Sequence, residues 1–146
     1  MDYRAIFQVS AAGMNVEKLR LDIAALNLAN MHATTGPDGT PFRPLRVVTE
    51  AVSASNFGTW MDVQAQGALG GVHASVVPDT TSTPRVVHDP GHPHADAKGD
   101  VRYPGVNHTT EMLTVMTALR AYEANVAALA AAKSMTTQAL DIGGQS

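Results

Sequence analysis

Three histidines, His88, His92 and His94, fall within seven residues in the run Val87-His88-Asp89-Pro90-Gly91-His92-Pro93-His94-Ala95-Asp96. Neutral imidazoles are common ligands for zinc and copper, and Asp89 and Asp96 add carboxylates alongside. The spacing argues against a metal centre. Pro90 and Pro93 fix the backbone between the rings, the separations match neither an i, i+4 helical pair nor a finger, and no nearby Cys or Glu completes a tetrahedron. A small metal-binding domain built on His88, His92 and His94 stands as the alternative reading of the chain. It requires a concave pocket on which the three rings converge.

Other chemistry is weaker still. Asp79, Asp89, Asp96 and Asp100 lie in turn-like sequence, where Asp bonds its own backbone, and nothing in their spacing sets two carboxylates around one bond. Ser, His and Asp are all present, but no Gly-x-Ser-x-Gly elbow occurs. Gly67-Ala68-Leu69-Gly70-Gly71 lacks the following Lys-Ser or Lys-Thr of a phosphate loop and reads as a flexible linker. There is no cysteine, so disulfides, thiolate catalysis and Cys-based zinc sites are excluded. The reading is a protein without catalytic residues, cofactor or bound metal.

The chain has 146 residues, a formal net charge of -3 and 16% charged residues, with no basic patch suited to phosphates, so neither nucleic acid nor an anionic membrane is a natural partner. No apolar run has the length of a signal peptide or the roughly 20 residues of a membrane span. Aromatics make up only 5%, which leaves Ala, Val, Leu and Met to form the core by close helix approach.

Three regions follow from periodicity. Residues 1–30 hold an amphipathic helix from about Ala5, with Val9, Ala12, Val16, Leu19, Ile23 and Leu26 at alternating steps of three and four. Residues 31–108 contain all eight Pro and nine of the twelve Gly. They read as a loop-rich β region, with strands at Leu45–Val52, Val72–Val77 and Arg85–His88 and turns at Pro37-Asp38-Gly39 and Asp89-Pro90-Gly91. Residues 109–146 hold a second helix, with Met112, Val115, Leu119, Tyr122, Val126 and Leu129 in the same spacing and Gly143-Gly144 as its stop. Helices of roughly 40 and 50 Å are too long for a compact domain of this size. The fold class is therefore mainly α with a small β-rich insert, the terminal helices pairing as an antiparallel coiled-coil-like hairpin.

On the first helix, Met14, Leu21 and Leu28 form a second apolar line on the far side of the main stripe. A two-helix hairpin leaves that line in water, whereas neighbouring copies would bury it at about 1.5 to 3 kcal/mol per large side chain. On the second helix, Ala118, Ala121, Ala124, Ala128 and Ala131 permit close approach of helix axes. Asn27 and Asn30, at the end of the first helix, have the plain reading of satisfying open backbone carbonyls or adopting a left-handed turn.

Asn27-Leu28-Ala29-Asn30 resembles the signature that closes the N-terminal helix of bacterial flagellar rod and hook proteins. Glu111-Met112, Arg120-Ala121-Tyr122-Glu123-Ala124-Asn125 and Lys133-Ser134-Met135 resemble the matching C-terminal motif. The run Asp89 to Ala97, leading to Gly105-Val106-Asn107, is similar to the proximal-rod FlgC type in particular. The departures are His88, where the family's run carries Tyr, and the segment Ser53–Leu69. The resemblance implies a structural subunit of the basal-body proximal rod, part of the drive shaft that carries torque across the periplasm. It implies export through the flagellar type III apparatus without a Sec signal, and assembly with other rod proteins and copies of itself. It implies no small-molecule substrate and no insertion in the membrane. The assembly interface expected from the residues and the resemblance together is Met14, Leu21, Asn27, Leu28, Asn30, Leu119, Tyr122, Asn125, Val126 and Leu129.

Overall fold

A computed structural model describes residues 3–34, 42–51 and 72–143. The turn at Pro37–Gly39 and the linker at Gly67–Gly71 lie outside the described residues. The elements run in the order α1 (Tyr3–Ala29), β1 (Leu45–Ala51), β2 (Val72–Pro78), β3 (Arg85–His88), β4 (Asp100–Tyr103) and α2 (His108–Gly143). Helices thus occupy both ends and short strands the middle, as the distribution of Pro and Gly requires. The first three strands and both helices fall within a residue or two of the boundaries read from the sequence. The fourth strand, Asp-Val-Arg-Tyr, is too short to register as a periodic run and is fixed by its partner.

The chain forms two compact units. One comprises Met1–Leu19, Thr49–Ser75 and Ala118–Ser146, and the other Arg20–Val48 and Val76–Thr117. In the first unit, α1 and α2 approach at Gly13, where a Cβ would lie 2.9 Å from Nδ2 and 3.1 Å from Oδ1 of Asn125. The missing side chain leaves room for that amide, and Ala118 and Ala132 are the buried residues of α2.

In the second unit, β3 and β4 pair antiparallel, with Arg85 opposite Tyr103, Val86 opposite Arg102, Val87 opposite Val101 and His88 opposite Asp100. Val101 is fully buried. The other two-stranded sheet is formed by β1 and β2, and within the second unit the Asp79 N–H donates to the Pro44 carbonyl at 2.7 Å.

The 89–99 connection between β3 and β4 satisfies its own backbone. The Asp89 carbonyl accepts from His92 N–H at 3.2 Å, and the Asp96 carboxylate accepts from Lys98 N–H at 2.8 Å and Asp100 N–H at 3.0 Å. Among the described residues the left-handed backbone falls on Gly99, at φ +80°, and not on Gly91 of the Asp-Pro-Gly turn. A Cβ at Gly99 would also meet the His88 ring at 3.0 Å.

Candidate assembly surface

The end of α1 is positioned by its two asparagines in different ways. Asn27 is 1% exposed. Its amide donates to the Leu45 carbonyl at 2.8 Å and accepts from the Leu45 N–H at 2.9 Å, so one side chain completes the backbone bonding at the start of β1. The same nitrogen lies 3.4 Å from Oε1 of Glu111, in the first turn of α2. Asn30 instead closes its own helix, its amide donating to the Leu26 carbonyl at 2.8 Å without a left-handed backbone. The four-residue signature therefore holds one internal clamp and one helix cap.

The other side of the clamp is equally ordered. Asn107 caps α2, its Oδ1 accepting from the Thr109 and Thr110 N–H groups at 3.0 and 3.3 Å. Burial holds the Glu111 carboxyl above the usual range, the Asn27 amide opposes that rise, and the charge of Asp79 adds to it.

The helix faces divide differently from the sequence expectation. On α1 the buried residues are Ser10, Val16, Ala24 and Asn27. Val16 belongs to the expected seam, and the other three lie between that seam and the expected outer line. Seam residues Val9 and Leu26 are consequently 53% and 42% exposed, while Met14, Leu21 and Leu28 of the outer line are half-buried.

On α2, Ala118 and Ala132 turn inward while Met112, Met116, Leu119 and Val126 form an outward line at steps of four, three and seven, 41–56% exposed. Tyr122, Asn125 and Leu129 are half-buried, as is Asn30 on α1. The missed signal was that none of the buried apolar side chains of the two helices is larger than valine, while Ile6, Val9 and Leu26 of α1 and the outward line of α2 stay exposed.

No buried hydrophobic side chain among the described residues is larger than valine. The core consists of Val16, Ala24, Val101, Ala118 and Ala132, while Ile6, Val9 and Leu26 of α1 and eight Leu, Met, Ile or Val side chains of α2 are exposed. This inverts the usual order, in which Leu, Ile, Phe and Met are the residues most often inside.

The three histidines make different hydrogen bonds, although the His92 and His94 rings meet edge-on at 5.5 Å. His88 Nδ1 lies 2.9 Å from Oδ1 of Asp100, its strand partner. His92 Nδ1 accepts from the His94 backbone N–H at 3.1 Å, and its ring meets Tyr103 edge-on. His94 Nδ1 lies 2.7 Å from the Thr34 hydroxyl. Among the described residues no three His, Cys, Asp or Glu side chains are grouped to hold one ion.

Two grooves lie in the second unit, one of about 420 Å³ beside Phe42, Asp79 and Tyr103 and one of about 180 Å³ beside Arg20, Leu45 and Glu111, and neither is lined by a histidine. Asp79 in the larger groove is engaged by the Thr81 hydroxyl and N–H at 2.6 and 2.9 Å, which hold its carboxyl below the usual range.

Comparison with known proteins agrees with the blocks noted in the sequence. Residues 97–142 match the family model described as flagellar basal body rod FlgEFG protein, C-terminal. A flagellar basal-body rod protein FlgC of Escherichia coli O6:H1 is 38% identical over 138 residues, covering 94% of this chain and 96% of its own. The FlgC proteins of Salmonella typhimurium and Bacillus subtilis are 36% and 34% identical, covering 94% and 92% of this chain and 96% and 94% of theirs. At that identity and over nearly the full length, the chain belongs to the flagellar basal-body rod protein FlgC family.

Proposed function

We propose that this protein is a structural subunit of the proximal rod of the flagellar basal body, built into the rod wall through its two terminal helices and transmitting torque across the periplasm. The observation that carries this reading is the inverted packing of α2, whose buried residues are Ala118 and Ala132 while Met112, Met116, Leu119 and Val126 face outward. Each such side chain kept from water contributes about 1.5–3 kcal/mol, so a line of them is an association surface.

In this reading the helices form an antiparallel pair. Two contacts support it. Gly13 meets Asn125, and Asn27 meets Glu111. Fourteen residues forward from Gly13 along α1 correspond to fourteen residues back from Asn125 along α2, the spacing of two heptads in an antiparallel pair.

The partners are other rod proteins and further copies of the chain, arranged head to tail in a helical polymer. Met14, Leu21, Leu28, Leu119, Tyr122, Val126 and Leu129 supply contacts, and Asn27 acts from inside by fixing the end of α1. Delivery is through the flagellar type III export apparatus. Among the described residues no helix is long and apolar enough to cross a membrane.

The test is complementation of a strain lacking this protein with the double variant Met116→Asp, Leu119→Asp. Both side chains are more than 45% exposed, so helical circular dichroism of the purified chain stays unchanged while rods are not completed and motility is lost. Normal swimming with the double variant as the sole copy overturns the assignment of this face.

A further inference from the structure

The inward faces of the two helices do not select their own alignment by shape. Gly13 of α1 meets Asn125 of α2, and the residues one heptad to either side of Asn125 are Ala118 and Ala132, both already buried. Sliding the helices by seven residues in either direction would bring an alanine, smaller than Asn125, to Gly13, so the close approach at that point does not by itself forbid the slide. What such a slide does not preserve is the placement of the polar groups. In one direction Asn125 comes opposite Ile6 and Asn27 is carried past the start of α2; in the other Asn125 comes opposite Arg20 and Asn27 opposite Ala118. In both, the amide of Asn27 leaves Glu111.

We infer that Asn125 and Asn27 are register-setting residues, which choose one alignment of α1 and α2 from several that small-residue packing alone accepts. The inference rests on the antiparallel pairing proposed above. A polar residue that fixes register is an attested device wherever the apolar contact is degenerate. The consequence for assembly is geometric. A slip of one heptad moves the outward apolar line of α2 about 10 Å along α1, and the combined surface offered to a neighbouring subunit no longer matches.

The chain has no cysteine, so introduced pairs report without background. Glu17→Cys with Ala121→Cys tests the alignment that puts Asn125 on Gly13, because both residues are four positions inward from that contact. Glu17→Cys with Ala128→Cys tests the alignment shifted by a heptad. The full-length chain is oxidised both purified and in isolated basal bodies, and internally cross-linked product is measured by gel mobility.

The expected result is a strong cross-link between positions 17 and 121 in the first pair, with Asn125 in place. On adding Asn125→Ala, the ratio of shifted to native product rises at least about tenfold. An unchanged ratio overturns the register role and leaves the helix pairing standing. Absence of both cross-links with Asn125 in place overturns the pairing and the inference with it. Loss of helical circular dichroism in Asn125→Ala also counts against the inference, since alanine in this Ala-rich helix would then be removing stability and not alignment.

Discussion

Replacing Asn27 by alanine separates the internal role of the Asn-Leu-Ala-Asn signature from any role at its surface. The side chain is 1% exposed and is engaged with both backbone groups of Leu45, as donor at 2.8 Å and acceptor at 2.9 Å. Removing it leaves an N–H and a carbonyl without partners in a partly buried setting, each worth about 1–3 kcal/mol when water does not fully replace the lost bond. Allowing for partial hydration at the half-buried Leu45, the expected loss is about 2–4 kcal/mol. For a chain of this size that lowers the midpoint of thermal unfolding by roughly 8–15 °C. Asn30 provides the control. Its side-chain bond to the Leu26 carbonyl is exposed, so Asn30→Ala costs below about 1 kcal/mol. Thermal melts of the full chain followed by circular dichroism measure both. Asn27→Asp adds a second arm: it keeps the acceptor for the Leu45 N–H, loses the donor, and sets a carboxylate beside Glu111, so its defect is larger at neutral pH than in mild acid. Equal melting of Asn27→Ala and Asn30→Ala would refute the clamp.

Two further outcomes follow from the same second unit. Glu111 has a carboxyl raised by burial, so its contribution to stability is present below the pKa of the unfolded chain and fades as pH rises through the folded value; Glu111→Gln, which keeps an acceptor for Asn27, is expected to flatten that decline in melts taken across the acidic range. The glycines in and beside the β3–β4 hairpin should separate by backbone need: Gly99→Ala, at φ +80°, costs about 1–2 kcal/mol, and Gly105→Ala costs more because its Cβ would overlap the Thr83 carbonyl. Gly91→Ala, whose nearest neighbour is Asp89 Oδ1 at 3.6 Å, is close to neutral, and limited proteolysis of the three variants ranks them.

The architecture was legible because all eight Pro and nine of the twelve Gly lie in the middle and the terminal segments carry a helical period. The faces were less so. A reading that weights large apolar residues places the seam of α1 on Val9, Ala12, Val16, Leu19, Ile23 and Leu26; of these Val16 is buried, and the rest of the buried line is Ser10, Ala24 and Asn27. Amphipathic analysis assumes that the greasiest face meets the chain's own core, and here that face is partly left exposed. The hydrogen bonds of Asn27 were invisible for another reason: Leu45 and Glu111 are 18 and 84 residues away, and neither spacing carries a local signal. The histidines, read against a metal centre because Pro90 and Pro93 hold the backbone between them, bond instead to Asp100, the His94 backbone and Thr34.

Small residues inside and large ones outside have complementary consequences for a subunit built to be packed among others. Alanine and glycine bring helix axes close but bury little area, so the helix contact within one chain contributes modestly at about 25 cal/mol per Å². Large outward side chains leave apolar area exposed, and association has to exceed the loss of translational and rotational freedom before contact between chains can realise any of it. A helix pair arranged in this way has a reason to be marginal alone and firm in a polymer, because the same residues are exposed in the first state and covered in the second. It also places a demand on alignment that a large-residue seam would meet by shape and a small-residue seam does not. Polar side chains at Asn27 and Asn125 meet that demand, each at the helix surface where the opposite helix offers the room or the partner it needs.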